Sequence, residues 1–279
     1  MKIGCIVQAR ATSSRLPGKV LKTLDFSTGA SILEEVIRRL KMVSKIDEII
    51  IATTINDADD GIVAVAKNLD VKVFRGSELD VLERYYLAAK ENNLDTVIRI
   101  TSDCPFIDSA VLEDLIVLYE NGDFDYASNG INRTYPHGLD CEIFSMSTLE
   151  KIYKKTTKEF YREHVTSYIY THEDEFRIGS LELSNNENYS DIRITVDTKQ
   201  DYVLCCALKD ALDDNQVSFR DILELYKTKP YLSMINDNII QKKQYKSEKE
   251  ELQVALNILL LQELPRAAAI IEGKIKKEL

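Results

Sequence analysis

Along the first half of the chain, short β-branched runs alternate with stretches whose apolar residues recur every three or four positions. The runs Ile3–Gln8, Glu48–Thr53, Val71–Phe74 and Thr96–Thr101 predict strands, and Ile32–Val43, Ile62–Leu69, Val81–Asn92 and Val111–Tyr119 predict the helices between them. Strands joined through helices of this length run parallel, with crossovers covering both faces of one sheet. Beyond Asp123 the rhythm loosens. Strands are predicted at Tyr126–Asn129, Cys141–Phe144, Phe176–Leu183 and Ile192–Val196, with turn signals at Pro136 and Gly138. Helices are predicted at Leu149–Tyr153, His164–Tyr170, Tyr202–Leu212 and Phe219–Tyr226. The expected fold class is α/β, an open, mainly parallel, doubly wound sheet.

No linker rich in Gly, Pro or Ser interrupts these elements, so residues 1–238 read as one catalytic domain and 239–279 as a helical extension. In the extension, the charged stretch Lys242–Glu251 leads into Leu252, Ala255, Leu256, Leu259, Leu260 and Leu264, an apolar stripe at helical spacing that Pro265 breaks or kinks. Such a stripe defines a buried face but not what covers it. A hairpin packed on its own domain and a homodimerisation or partner-docking appendage both remain open.

With 279 residues and 44% hydrophobic content the chain supports a sizeable core. Lys plus Arg number 36 against 46 Asp plus Glu, a net charge of −10 spread along the chain. Nucleic acid is therefore not an expected partner, because its backbone is bound through excess positive charge. A small anion remains compatible wherever a few cations cluster. No apolar run approaches the ~18 residues of a membrane span, and Met1–Gln8 lacks a cleavage pattern, so no membrane partner and a cytoplasmic location are expected. The five cysteines are odd in number and form no C-x-x-C pair, which predicts packed, reduced thiols rather than disulfides or structural zinc.

Ligands of open α/β sheets bind beyond the carboxyl ends of the strands. After the first strand comes Gln8-Ala9-Arg10-Ala11-Thr12-Ser13-Ser14-Arg15-Leu16-Pro17-Gly18-Lys19. Its small residues let backbone N–H groups approach an anion, and Arg10, Arg15 and Lys19 supply charge for phosphate oxygens. A triphosphate suits this loop. Gly18-Lys19 is followed by Val20, so it is not a P-loop, and no G-x-G-x-x-G supports dinucleotide chemistry. Arg99-Ile100-Thr101-Ser102-Asp103 has an echo in Arg193-Ile194-Thr195-Val196-Asp197. Both read as strands ending in aspartate, with Arg, Thr and Asp on one face. Asp103 and Asp197 each resemble a helix N-cap taken alone, but paired with a cationic loop they point to Mg²⁺ completed by substrate phosphates.

These residues give the chain a family resemblance. It resembles the cytidylyltransferases of the spore-coat polysaccharide protein F type and, more distantly, the synthetases of CMP-activated acidic sugars (acylneuraminate and KDO). The motifs are Gln8-Ala9-Arg10 through Leu21, Arg75-Gly76-Ser77 with Asp80-Val81-Leu82-Glu83-Arg84-Tyr85, Arg99–Asp108, Tyr135–Glu142, Arg162–Thr166 and Arg193–Asp197, covering residues 1 to about 230. The resemblance implies a glycosyltransferase-A-like nucleotidyltransferase fold. It implies that Gln8, Ala9, Arg10, Ser14, Arg15 and Lys19 bind the CTP phosphates, that Ser77, Asp80 and Arg84 lie near the nucleoside, and that Asp103 and Asp197 carry Mg²⁺. His137, Asp140, Glu142, Arg162 and His164 fall in acceptor-side motifs. Ala11-Thr12 stands where a Met-Gly or similar pair is usual, and His137 where a basic residue is frequent.

The expected activity is Mg²⁺-dependent transfer of CMP from CTP to a small acidic sugar, phosphate or phosphonate acceptor, with release of pyrophosphate. A glycosyltransferase consuming a nucleotide sugar would show Asp-x-Asp, and here Cys104-Pro105 follow Asp103. A noncatalytic nucleotide-binding or assembly protein, recruiting a partner through its last helices, is the reading from a different class.

Overall fold

Strand β1 (Ile3–Gln8) lies in the middle of the fold because it is apolar on both faces: Cys5 and Val7 join one core cluster, Ile6 the other. In the computed structural model, which describes residues 1–212, 217–239 and 248–277, β1 pairs in parallel with β2 (Glu48–Thr54) and β4 (Thr96–Thr101). Beyond β2 lies β3 (Lys72–Gly76), also parallel. Beyond β4 come β6 (Glu142–Ser145), then β5 (Tyr126–Ser128), then β7 (Ile178–Ser180), giving the order β3-β2-β1-β4-β6-β5-β7. Only β6 runs against its neighbours. The register sets Gln8 beside both Ala52 and Thr101, so the chain leaves β1 and β4 at the same level, and Ser102 N–H donates to the Gln8 carbonyl at 3.1 Å.

Several helices begin where polar side chains cap them. Ser31 starts α1 (Ile32–Leu40) with a reciprocal capping box, Asp80 starts α3 (Val81–Glu91), Asp108 starts α4 (Ser109–Asn121), and Thr198 starts α8 (Lys199–Ala211) with a second box. Neither Asp103 nor Asp197 is a cap. One face of the sheet is covered by α1, α4, α8 and α9 (Phe219–Thr228) through Val36, Leu112, Leu204 and Ile222. On the other, α3, α5 (Met146–Lys155) and α7 (Ser167–Thr171) contribute Leu82, Tyr85, Leu149 and Ile169. This is the open, doubly wound α/β sheet that the hydropathy pattern predicts; α2 (Asp60–Asn68) links β2 to β3.

Three predicted elements differ. Residues 192–196 form no strand: the segment makes a single bridge, His137 with Arg193, and its main chain divides its bonds between two loops. Ile194 N–H donates to the His137 carbonyl at 2.7 Å, while Val196 N–H donates to the Asp103 carbonyl at 2.8 Å. With different partners at each step no ladder propagates. The expected helix at His164–Tyr170 starts only at Ser167, as α7, because buried Val165 adopts φ +49°; a separate short helix, α6 (Glu159–Glu163), precedes it. The strand expected over Phe176–Leu183 shrinks to β7, limited by its three-residue neighbour β5.

The described chain falls into two compact units, Met1–Asn238 and Ile239–Leu279. In the second, α10 (Glu248–Leu261) and α11 (Pro265–Lys277) form a hairpin, with Pro265 as the first residue of α11, where its missing N–H costs nothing. Leu252, Ala255, Leu256 and Leu259 are half-buried, whereas Leu260 and Leu264 are exposed. Positions 242–247 of the charged stretch lie outside the described residues. No described helix is long and apolar enough to cross a membrane.

Gly138 has φ +110°, and a Cβ there would stand 2.7 Å from the main chain of Ile194 and Thr195. Gly29 has φ +80° with nothing near. Gly138→Ala is expected to cost about 1–3 kcal/mol, more than Gly29→Ala, in urea unfolding, because only the former combines left-handed strain with a backbone clash.

Candidate active site

The loop after β1 is shaped by its own main chain. The Ala11 carbonyl accepts from both Ser13 and Gly18 N–H at 2.9 Å, and Gly18, at φ +67°, turns the chain into a short 3₁₀ turn at Lys19–Leu21. Leu16 and Val20 are buried beneath the loop, so Lys19 points inward and is 8% exposed. Its ammonium donates to Asp103 Oδ2 at 2.7 Å, to the Val196 carbonyl at 2.8 Å and to Asp197 Oδ1 at 2.9 Å. Arg15 Nη2 reaches the same Asp197 oxygen at 2.9 Å. Two carboxylates nearly a hundred residues apart thus meet on one cation.

Main-chain bonds hold this meeting in place. The Asp103 carbonyl accepts from both Val196 N–H at 2.8 Å and Thr195 Oγ1 at 3.0 Å. Arg193 Nη2 donates to Asp197 Oδ2 at 2.8 Å, and Arg193 is itself held by Asp201, which is 0% exposed. Asp201 also accepts the N–H groups of Asp197 and Thr198 and the Asn236 amide. Asn236 binds the Arg193 carbonyl too, at 3.0 Å. Burial, the largest influence on Asp197, pushes its pKa up, but the Lys19 ammonium and the other cations outweigh it and hold the carboxyl at about 2. The same two aspartates outweigh the burial that would lower Lys19, so the ammonium stays charged.

Arg10 forms no hydrogen bond or ion pair with those aspartates among the described residues. It is half-buried and adds its charge to the surroundings of Glu78 and Arg84. Ala9 is buried, and Ser14 is exposed. Two acids that the sequence reading passed over brace this part of the loop. Asp59, 0% exposed, accepts Ala11 N–H at 2.7 Å while also binding Thr53 and Thr54 at the end of β2. Glu78 joins Thr12 Oγ1 at 2.7 Å to Asn56 Nδ2 at 2.6 Å.

A second group gathers at the start of α3. Asp80 accepts Glu83 N–H at 2.8 Å with one oxygen and Arg162 Nε at 2.7 Å with the other. Ser77 Oγ accepts Asp80 N–H at 3.0 Å, and the Ser77 carbonyl accepts Arg84 Nη1 at 2.7 Å. Arg84 is 1% exposed, with Nε and Nη2 unpartnered. The structure therefore pairs Arg162, expected on the acceptor side, with Asp80, expected near the nucleoside. Its guanidinium also stacks 4.6 Å from the Tyr153 ring.

The third group lines a cavity of about 350 Å³ walled by Tyr126, Ser128, Arg133, Asp140, Glu142 and Tyr170. Asp140 accepts Gly138 N–H at 2.9 Å and pairs with Arg133, whose charge outweighs burial and lowers the Asp140 pKa. Glu142 pairs with Arg99, which also reaches Gln8 Oε1 at 3.4 Å. His137 is half-buried, its main chain tied to Ile192 and Ile194. His164 is exposed at the end of α6, its ring 4.7 Å from that of Phe160. Cys104 is buried beside Asp103, and burial raises its thiol well above the ordinary range, so it is no nucleophile.

Comparisons with known proteins agree with one another. Residues 4–256 match the family described as Cytidylyltransferase, a span that passes the end of the recognised motifs near residue 230 and enters α10. An uncharacterised protein of Methanocaldococcus jannaschii is 38% identical over 87% of this chain and 97% of its own. The spore coat polysaccharide biosynthesis protein SpsF of Bacillus subtilis is 33% identical over 81% and 94% respectively. A solved cytidylyltransferase from Leptospira borgpetersenii, 33% identical, superposes with a TM-score of 0.79 over 87% of this chain and all of that one. Fold, motifs and matched length converge, and the chain belongs to the cytidylyltransferase family of nucleotidyltransferases.

Proposed function

We propose that this enzyme transfers CMP from CTP to a small acidic sugar, or a related phosphate or phosphonate acceptor, and releases pyrophosphate, in the assembly of a surface polysaccharide or glycoconjugate. The observation that carries this reading is the convergence of Lys19 and Arg15 on Asp103 and Asp197, which puts polyanion-binding cations and a pair of hard oxygen donors in one place. The name of the Bacillus subtilis relative supports the polysaccharide context.

The donor set fits Mg²⁺. Two carboxylates already share one cation, and Mg²⁺ is typically held by one or two carboxylates with phosphate and water completing its shell. Bound by Asp103 and Asp197, it would neutralise charge on the phosphoryl oxygens. The acceptor oxygen, already ionised in a phosphate or phosphonate and giving its proton to water when it is a sugar hydroxyl, attacks the α-phosphorus in line; a new P–O bond forms, and the bond to the β-phosphate bridging oxygen breaks. Arg10, Arg15 and Lys19 stabilise the charge that collects on the departing pyrophosphate. Gln8, Ala9 and Ser14 belong to the loop that approaches the phosphates, and Ser77, Asp80 and Arg84 shape the nucleoside side.

The cavity beside Asp140 and Glu142 is the acceptor's seat in this reading. Burial, the largest influence, lowers the His137 pKa to about 4, and the Arg133 charge adds to the effect. The imidazole is therefore neutral at pH 7 and too weak a base to hold a hydroxyl proton there.

Two outcomes follow. Asp103→Ala is expected to lower pyrophosphate release from CTP, measured with a panel of acidic sugars, sugar phosphates and phosphonates, on the order of a hundredfold; unchanged release would remove Asp103 from the chemistry. For His137, the unfolded chain takes up a proton below its ordinary value of 6.5, whereas the folded chain refuses it down to about 4. Stability is therefore lost as pH falls from about 6.5 to about 4, and the loss levels off below that. In urea titrations between these pH values, His137→Asn is expected to show a shallower decline than the parent protein.

A further inference from the structure

Lys19 is asked to do two things that one ammonium cannot do together. It has three N–H donors, and all three are engaged: by Asp103 Oδ2, by the Val196 carbonyl and by Asp197 Oδ1, at 2.7–2.9 Å. The side chain is 10% exposed, so the group is sealed as well as saturated. In this arrangement no donor is left for a phosphate. Conversely, the ammonium occupies one oxygen of each carboxylate through which Asp103 and Asp197 would hold a divalent ion.

The acceptors of Asp197 are covered further. Asp197 Oδ1 takes Arg15 as well as Lys19, and its Oδ2 takes Arg193. Among the described residues, Asp103 Oδ1 meets the weak Cys104 thiol at 3.7 Å. The two carboxylates are thus neutralised by the protein itself, and an incoming cation would compete with a cation already in contact. A nucleoside triphosphate changes this balance, since its negative charges offer Lys19 and Arg15 better partners and leave the carboxylates with surplus negative charge.

We propose that Lys19 is an occupancy switch: its ammonium closes the Asp103–Asp197 pair to divalent cations until a nucleoside triphosphate draws it away. The switch rests on the reading of those aspartates as the metal ligands. It makes Lys19 a positioning residue in the empty enzyme, holding the two carboxylates together without a metal, and a phosphate ligand in the loaded one. By linkage, nucleotide raises metal affinity by the same factor by which metal raises nucleotide affinity.

The test measures Mn²⁺ binding by electron paramagnetic resonance, first without nucleotide. Ordinary phosphate ligation alone would also make metal and CTP cooperate, so the deciding comparison is between nucleotide-free proteins. Lys19→Met is expected to bind Mn²⁺ at least tenfold more tightly than the parent chain, and Asp103→Asn added to it is expected to abolish the gain. Mn²⁺ is further expected to raise the melting temperature of Lys19→Met, whose carboxylates have lost their cation, more than that of the parent. Lys19→Gln, which keeps an uncharged donor and similar bulk, serves if the methionine variant does not fold.

Equal Mn²⁺ affinity in the parent and in a folded Lys19 variant overturns the switch. If the parent at the same time holds Mn²⁺ in a ternary complex with CTP, the metal reading survives that failure. Absence of any protein-bound Mn²⁺ in both the parent with CTP and the Lys19 variants overturns the switch and the metal reading together.

Discussion

The candidate site depends on one ammonium ion placed between two carboxylates that come from different loops of the sheet. Burying a charge is costly unless it is paired and hydrogen-bonded, and here each member satisfies the other. The fold supplies that placement in three steps. β1 and β4 end level with one another, Gly18 turns Lys19 inward, and the Asp103 carbonyl clasps residues 195 and 196. Remove any one and the three charged groups no longer face a common point.

Most of the first half of the fold could be read from hydropathy, since β1 to β4 are fully flanked by helices and their β-branched runs need no distant information. Past Asp123 the strands are short, and their lengths are decided by neighbours. β7 stops at three residues because β5 does. Residues 192–196 have the alternation of a strand, and Ile194 and Val196 are fully buried as that pattern requires. Alternation, however, reports only which side chains are buried. It says nothing about whether one continuous partner runs alongside, and here two loops share the work.

The charged residues were legible to different degrees for a similar reason. Arg15 and Lys19 stand in a cationic loop, Asp103 follows β4, and Asp197 ends a segment with a strand's alternation, places where the sequence pattern alone makes them candidates. Asp59 and Asp201 gave no such signal. Asp59 sits in the acidic run Asp57–Asp60, and Asp201 is the third residue of the α8 capping box. Their added bonds, to Ala11 N–H and to Arg193, depend on contacts between distant segments that no local pattern encodes. Arg162 and Asp80 show the opposite case: both stand in visible motifs, but their pairing was not visible.

Asn236 lies close to the end of the first unit, yet its amide bonds to the Arg193 carbonyl and to Asp201, which holds the guanidinium facing Asp197. The loop carrying Lys19 leaves the ribosome first and this asparagine more than two hundred residues later. Because domains generally fold as units during synthesis, a growing chain has its nucleotide loop long before the clamp that orients its second aspartate. Half-made copies therefore lack an assembled centre, and competence for phosphoryl chemistry arrives only once the first unit is almost entirely translated.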